Sequence, residues 1–80
     1  MEIPLIEGEF STNEALELIV KMIEVKIKFH ESKVCNSQLE EDIKSRENKI
    51  KNLQKSLYDS RLFLNTKNSG VKIKCSIHIE

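Results

Sequence analysis

Two histidines, two cysteines and one run of carboxylates are the side chains in this sequence best suited to chemistry. His30 and Cys35 stand five apart within a helical pattern, which turns them to different faces. Cys75 and His78 stand three apart within an alternating pattern, which puts them on opposite faces of a strand. Structural zinc needs four converging ligands, so no metal is expected. Cys75 reads as a buried small residue, Cys35 as partly exposed, and the histidines as ordinary ones. Glu40, Glu41 and Asp42 form the one acidic cluster, placed where a helix N-terminus favours negative charge. No nucleophile motif, glycine-rich phosphate loop or metalloprotease signature is present. The expectation is a protein without enzymatic activity, cofactor or small-molecule substrate.

Lys44, Lys51 and Lys55, with Asn48, fall along one helical stripe that could contact phosphates. Glu40, Glu41, Glu47 and Asp59 flank the stripe and stacking aromatics are missing, which favours a solvated face. Formal net charge is zero, yet the charges are segregated. Residues 1–17 hold five glutamates and no base. Residues 44–74 hold nine bases against Glu47 and Asp59, a balance of +7. Either the acidic start folds against the basic end, or segment 44–74 serves a nucleic-acid-binding accessory role.

The elements that must position these residues are legible from periodicity. Ser11–Cys35 is the most apolar stretch. On a helix, Glu14, Glu17, Lys21, Glu24, Lys28 and Glu31 form one polar stripe. Ala15, Leu16, Leu18, Ile19, Val20, Met22, Ile23, Val25, Ile27 and Phe29 spread over roughly 220°, against ~100° for an ordinary surface helix. Such a helix needs at least two neighbours. Ser11 with Glu14 predicts a capping box, and Ser37 with Glu40 predicts a second one. The second helix carries a coiled-coil-like heptad, Leu39, Ile43, Ile50, Leu53, Leu57 and Leu64, with Arg46 and Ser60 as imperfect seam positions. One continuous helix through residues 34–37 is the competing reading.

Residues 2–10 are dense in apolar side chains but alternate poorly. Pro4 suits an edge strand and Gly8 a bend or bulge. Asn65–Gly70 is a loop. Val71, Ile73, Cys75, Ile77 and Ile79 then alternate without a fault with Lys72, Lys74, Ser76 and His78, which predicts a half-buried strand.

The assembled expectation is one α+β domain over residues 1–80, mostly helical. It is an antiparallel helical hairpin (helices at about 12–34 and 38–65) whose terminal strands (about 3–10 and 71–79) pair antiparallel, in the order β-α-α-β. Cys35 and Cys75 then sit near opposite ends of a helix ~40 Å long, too far apart for a disulfide. The acidic start lacks the basic region of a signal peptide, and no apolar run spans a membrane, so a cytoplasmic protein is expected. The excess apolar surface predicts a protein–protein interaction module, either a homodimer or the companion of a partner protein. Its interface is expected to use Leu16, Ile19, Val20, Ile23, Ile27, Ile73 and Ile77.

Overall fold

The computed structural model describes residues 1–80. The order is β1 (Glu2–Phe10), α1 (Thr12–Asn36), α2 (Glu40–Asn65) and β2 (Val71–His78), with β1 and β2 in one two-stranded antiparallel sheet. This is the expected β-α-α-β hairpin.

Ser11 caps α1 as its spacing predicts. Its hydroxyl accepts from the Glu14 N–H at 3.1 Å, and the Glu14 carboxylate accepts from the Ser11 N–H at 3.0 Å. The Ser11 N–H first, and then the Ser11 hydroxyl beside the carboxylate, hold the Glu14 carboxyl below its usual pKa. The break between the helices is real, but the second capping box does not form. Ser37 instead ends α1, and its hydroxyl accepts the N–H of Leu39, two residues on. That local bond keeps residues 37–39 out of the helix. Leu39, expected in the seam, becomes the N-cap of α2 and is exposed. Glu40, Glu41 and Asp42 fill the first turn of α2. At its other end the Thr66 hydroxyl donates to the Phe63 carbonyl, satisfying one of the last orphan acceptors.

The sheet reconciles the poor alternation of β1. The register pairs Ile3 with Ile77, then Ile6 with Cys75, Gly8 with Ile73 and Phe10 with Val71, with a shift between Pro4 and Ile6. Leu5 is the extra residue. It lets Ile3 and Ile6 share the face of Val71, Ile73, Cys75 and Ile77, despite being three apart. The bulge therefore lies at Leu5, not at Gly8. Gly8 carries φ +145°, a conformation that side-chain-bearing residues avoid. The opposite face pairs Glu7 with Lys74 and Glu9 with Lys72, the latter charges 3.8 Å apart. The acidic start thus folds against the basic end. Met1 and Ile79 extend the ladder with bonds of 2.8 and 2.7 Å.

The molecule is a plate, 47 × 32 × 13 Å. Two stacked layers need about 10 Å between their planes plus the thickness of each, so 13 Å holds only one. A hairpin of 26-residue helices is about 39 Å long and a nine-residue strand about 30 Å. The outline matches a sheet set crosswise at the open end of the hairpin, in its plane. The sheet therefore does not cover the broad face of α1. Only Ala15, Leu64 and His30 are buried.

Gly70 holds the α2–β2 turn against β1. A Cβ there would lie 2.8 Å from the Phe10 carbonyl oxygen, closer than real Cβ contacts come. Gly70→Ala is expected to lower the urea midpoint by the equivalent of about 1–3 kcal/mol, the range for forced overpacking. Ser69→Ala beside it should leave the midpoint unchanged. Equal midpoints for wild type and Gly70→Ala would disprove the close approach.

Candidate interaction surface

Two heptad stripes run along α1, and only one has a partner. Leu16, Val20, Ile23, Ile27 and Val34 are half-buried, and with buried His30 they recur at alternating steps of four and three. On α2 the matching stripe is Ile43, Arg46, Ile50, Leu53, Leu57, Ser60 and Leu64. These two stripes form the hairpin seam. The helices pack along it as antiparallel neighbours.

The seam holds one polar pair in its loop half. Arg46 Nη1 donates to His30 Nδ1 at 3.0 Å, and the Arg46 guanidinium also lies 5.8 Å from the Phe29 ring centre. Phe29 meets the His30 ring edge-on, centroids 5.6 Å apart. Asp42 approaches Arg46 Nε at 3.7 Å. A guanidinium accepts nothing, so Nδ1 must be the acceptor and the ring is the neutral tautomer protonated at Nε2. Burial first, then the charges of Arg46, Lys49 and Lys26, push the His30 pKa below its ordinary value. A one-heptad slip of the helices would separate His30 from Arg46 and bury both unpaired, so the pair defines register. His30 is thus not an ordinary histidine but a buried member of the seam. The missed signal is its place on the heptad of Leu16–Val34, opposite the heptad position of Arg46.

The second stripe of α1 is Leu18, Met22, Val25 and Phe29, again at steps of four, three and four. Leu18 is half-buried beside Phe10 and Arg46 reaches one side of Phe29, but most of the stripe is open: Val25 is 70% exposed and Phe29 54%. Nearer the sheet, Ala15, Ile19, Phe63, Leu64, Val71 and Ile73 line a shallow groove of about 340 Å³. Phe63 is 60% exposed beside it. The sheet's apolar face, ending in exposed Ile77, continues from Val71 and Ile73.

The seven residues expected at an interface therefore separate. Leu16, Val20, Ile23 and Ile27 sit in the seam of the hairpin itself. Ile19 and Ile73 meet in the groove, and Ile77 lies farther along the same sheet face. The open stripe through Met22 and Val25 was hidden in the sequence because both stripes were read as one broad arc. Lys44, Lys51 and Lys55 lie exposed on α2, and Lys44 pairs with Glu40 at 3.3 Å. Cys35 is exposed in the last turn of α1 and Cys75 half-buried in β2, both as free thiols. No three His, Cys, Asp or Glu side chains converge. No helix is long and apolar enough to cross a membrane.

Comparison with known proteins adds no relative: no family model, curated protein or solved structure matches the chain.

The His30 geometry predicts a pH dependence. Its folded pKa is depressed, so its contribution to stability is complete above the unfolded value of about 6.5. It declines as pH falls toward the folded value, because the unfolded chain then binds more protons. Thermal midpoints should fall between pH 7.5 and 5, and His30→Gln should flatten that slope. A wild-type midpoint constant over this range would contradict the buried neutral imidazole.

Proposed function

We propose that this chain is a small non-enzymatic assembly module that associates with a second copy of itself. The contact surface is the continuous apolar one from the sheet face and groove to the outward stripe of α1. Surface area is the observation that carries this reading. The chain exposes 6512 Å², whereas a compact monomer of 9.3 kDa exposes about 5,000 Å². The radius of gyration, 15.1 Å, likewise exceeds the ~12 Å of a compact 80-residue chain. The surplus is about 1,500 Å² per chain. Covered mutually by two copies it makes about 3,000 Å², within the range of obligate dimer interfaces.

Three further features favour a second copy as the occupant. Net charge is zero, so two copies approach without long-range repulsion. The polar stripe beside the outward stripe alternates sign, with Glu17–Lys21 paired at 2.8 Å, and presents no block of one charge. A twofold contact also closes the assembly and leaves no further apolar surface to propagate.

Val25→Asp and Phe63→Asp test this reading without touching the hairpin seam, because both side chains are exposed in the single chain. Light scattering after size exclusion should give twice the 9.3 kDa chain mass for wild type. Each variant should shift toward the single-chain mass with its helical signal retained. Wild type at the single-chain mass at tens of micromolar, or variants that stay dimeric, would sink the proposal.

A further inference from the structure

The two outer edges of the sheet differ. Met1 and Ile79 exchange both backbone hydrogen bonds, at 2.8 and 2.7 Å. Backbone direction alternates along an antiparallel ladder, and the bulge at Leu5 interrupts β1 rather than β2. Val71, Ile73, Cys75 and Ile77 therefore turn their N–H and C=O groups toward β1. Lys72, Lys74, Ser76 and His78 turn theirs away. These four residues are exposed, β2 has no second neighbouring strand, and no turn, cap or side-chain bond reaches their backbone groups. The outer edge of β1 is closed by comparison. It presents Glu2, Pro4, Glu7 and Glu9; Pro4 has no N–H, and the extra residue Leu5 breaks the ladder. An edge with a continuous row of unpaired groups is a template for another strand, and only β2 offers one.

The side chains of β2 select the strand. Lys72 and Lys74 stand on one face, and Ile73, Cys75 and Ile77 on the other. β1 shows what fits this pattern, setting Glu9 opposite Lys72 and Glu7 opposite Lys74. Lys72 meets Glu9 only at 3.8 Å, and Lys74 has no carboxylate within ion-pair distance. Lysines on an edge discourage an apolar or basic neighbour and favour one with acids opposite them. A second β2 does not match, because it brings two more lysines and no carboxylate over Val71–His78. A second β1 does not either: its own β2 takes one edge, and Pro4 and Leu5 break the other.

We propose that the free edge of β2 takes up an extended segment of another protein as a third, antiparallel strand. In that segment carboxylates alternate with apolar side chains, so that acids face Lys72 and Lys74. The strand lies in the sheet plane, beside its apolar face and away from the outward stripe of α1. The inference does not rest on self-association.

The test is amide hydrogen exchange, read by NMR, with a capped nine-residue peptide in which glutamate alternates with valine and isoleucine. In the free protein the amides of Ile73, Cys75 and Ile77 should be protected; with saturating peptide, those of Lys72, Lys74, Ser76 and His78 should join them. Ser76→Pro removes one outward N–H at a position where an edge strand tolerates proline. It should abolish binding with the circular dichroism unchanged. The same peptide with lysine in place of glutamate should bind several-fold more weakly. Val25→Asp should bind the acidic peptide as wild type does, so loss of self-association and loss of this edge site are read separately. No gain of protection at the four amides, equal binding of the lysine peptide, or binding retained by Ser76→Pro would overturn the proposal. Protection of the four amides without peptide would show a second copy on the edge and would overturn it as well.

Discussion

A helix in a single layer of structure has a neighbour on one side only. That constraint governs this chain. α1 carries two heptad stripes, through Leu16–Val34 and Leu18–Phe29, and α2 packs along the first, touching the second only where Arg46 lies over Phe29. The crosswise sheet reaches only the start of the second, where Phe10 lies beside Leu18, and leaves Met22, Val25 and Phe29 exposed. Three buried residues out of 80 are the consequence. A core that small leaves apolar burial, the main favourable contribution to folding, largely unrealised within one copy.

Within the hairpin, polar groups provide the specificity that sparse packing lacks. An aliphatic seam of Ile, Leu and Val tolerates sliding by a heptad. His30 and Arg46 break that degeneracy with one hydrogen bond. The sheet uses the same device in another form. Glu7 and Glu9 oppose Lys74 and Lys72, and the bulge at Leu5 brings Ile3 and Ile6 onto one face. Each of these features selects one alignment among several of similar apolar content.

Much of this was legible in the sequence. Faultless alternation over Val71–Ile79 gave β2, the Ser11–Glu14 box gave the start of α1, and the loop at Asn65–Gly70 ended α2. These signals are local, and local hydrogen bonds decide them. What was not legible depends on three-dimensional placement. Ser37–Glu40 has the form of a capping box, yet the Ser37 hydroxyl takes the nearer Leu39 N–H. The sheet's position in the plane of the hairpin follows from strand direction at the chain ends, which periodicity does not encode. His30 read as an ordinary histidine because its partner lies sixteen positions away, on the other helix.

The central claim is that folding of this chain is completed by a second copy. The most direct measurement is the thermal midpoint as a function of chain concentration, over about two decades. Coupled folding and association make the midpoint rise steadily with concentration, by mass action. A cooperative transition whose midpoint does not move with concentration, in a sample sedimenting at the single-chain mass of 9.3 kDa, would contradict the account.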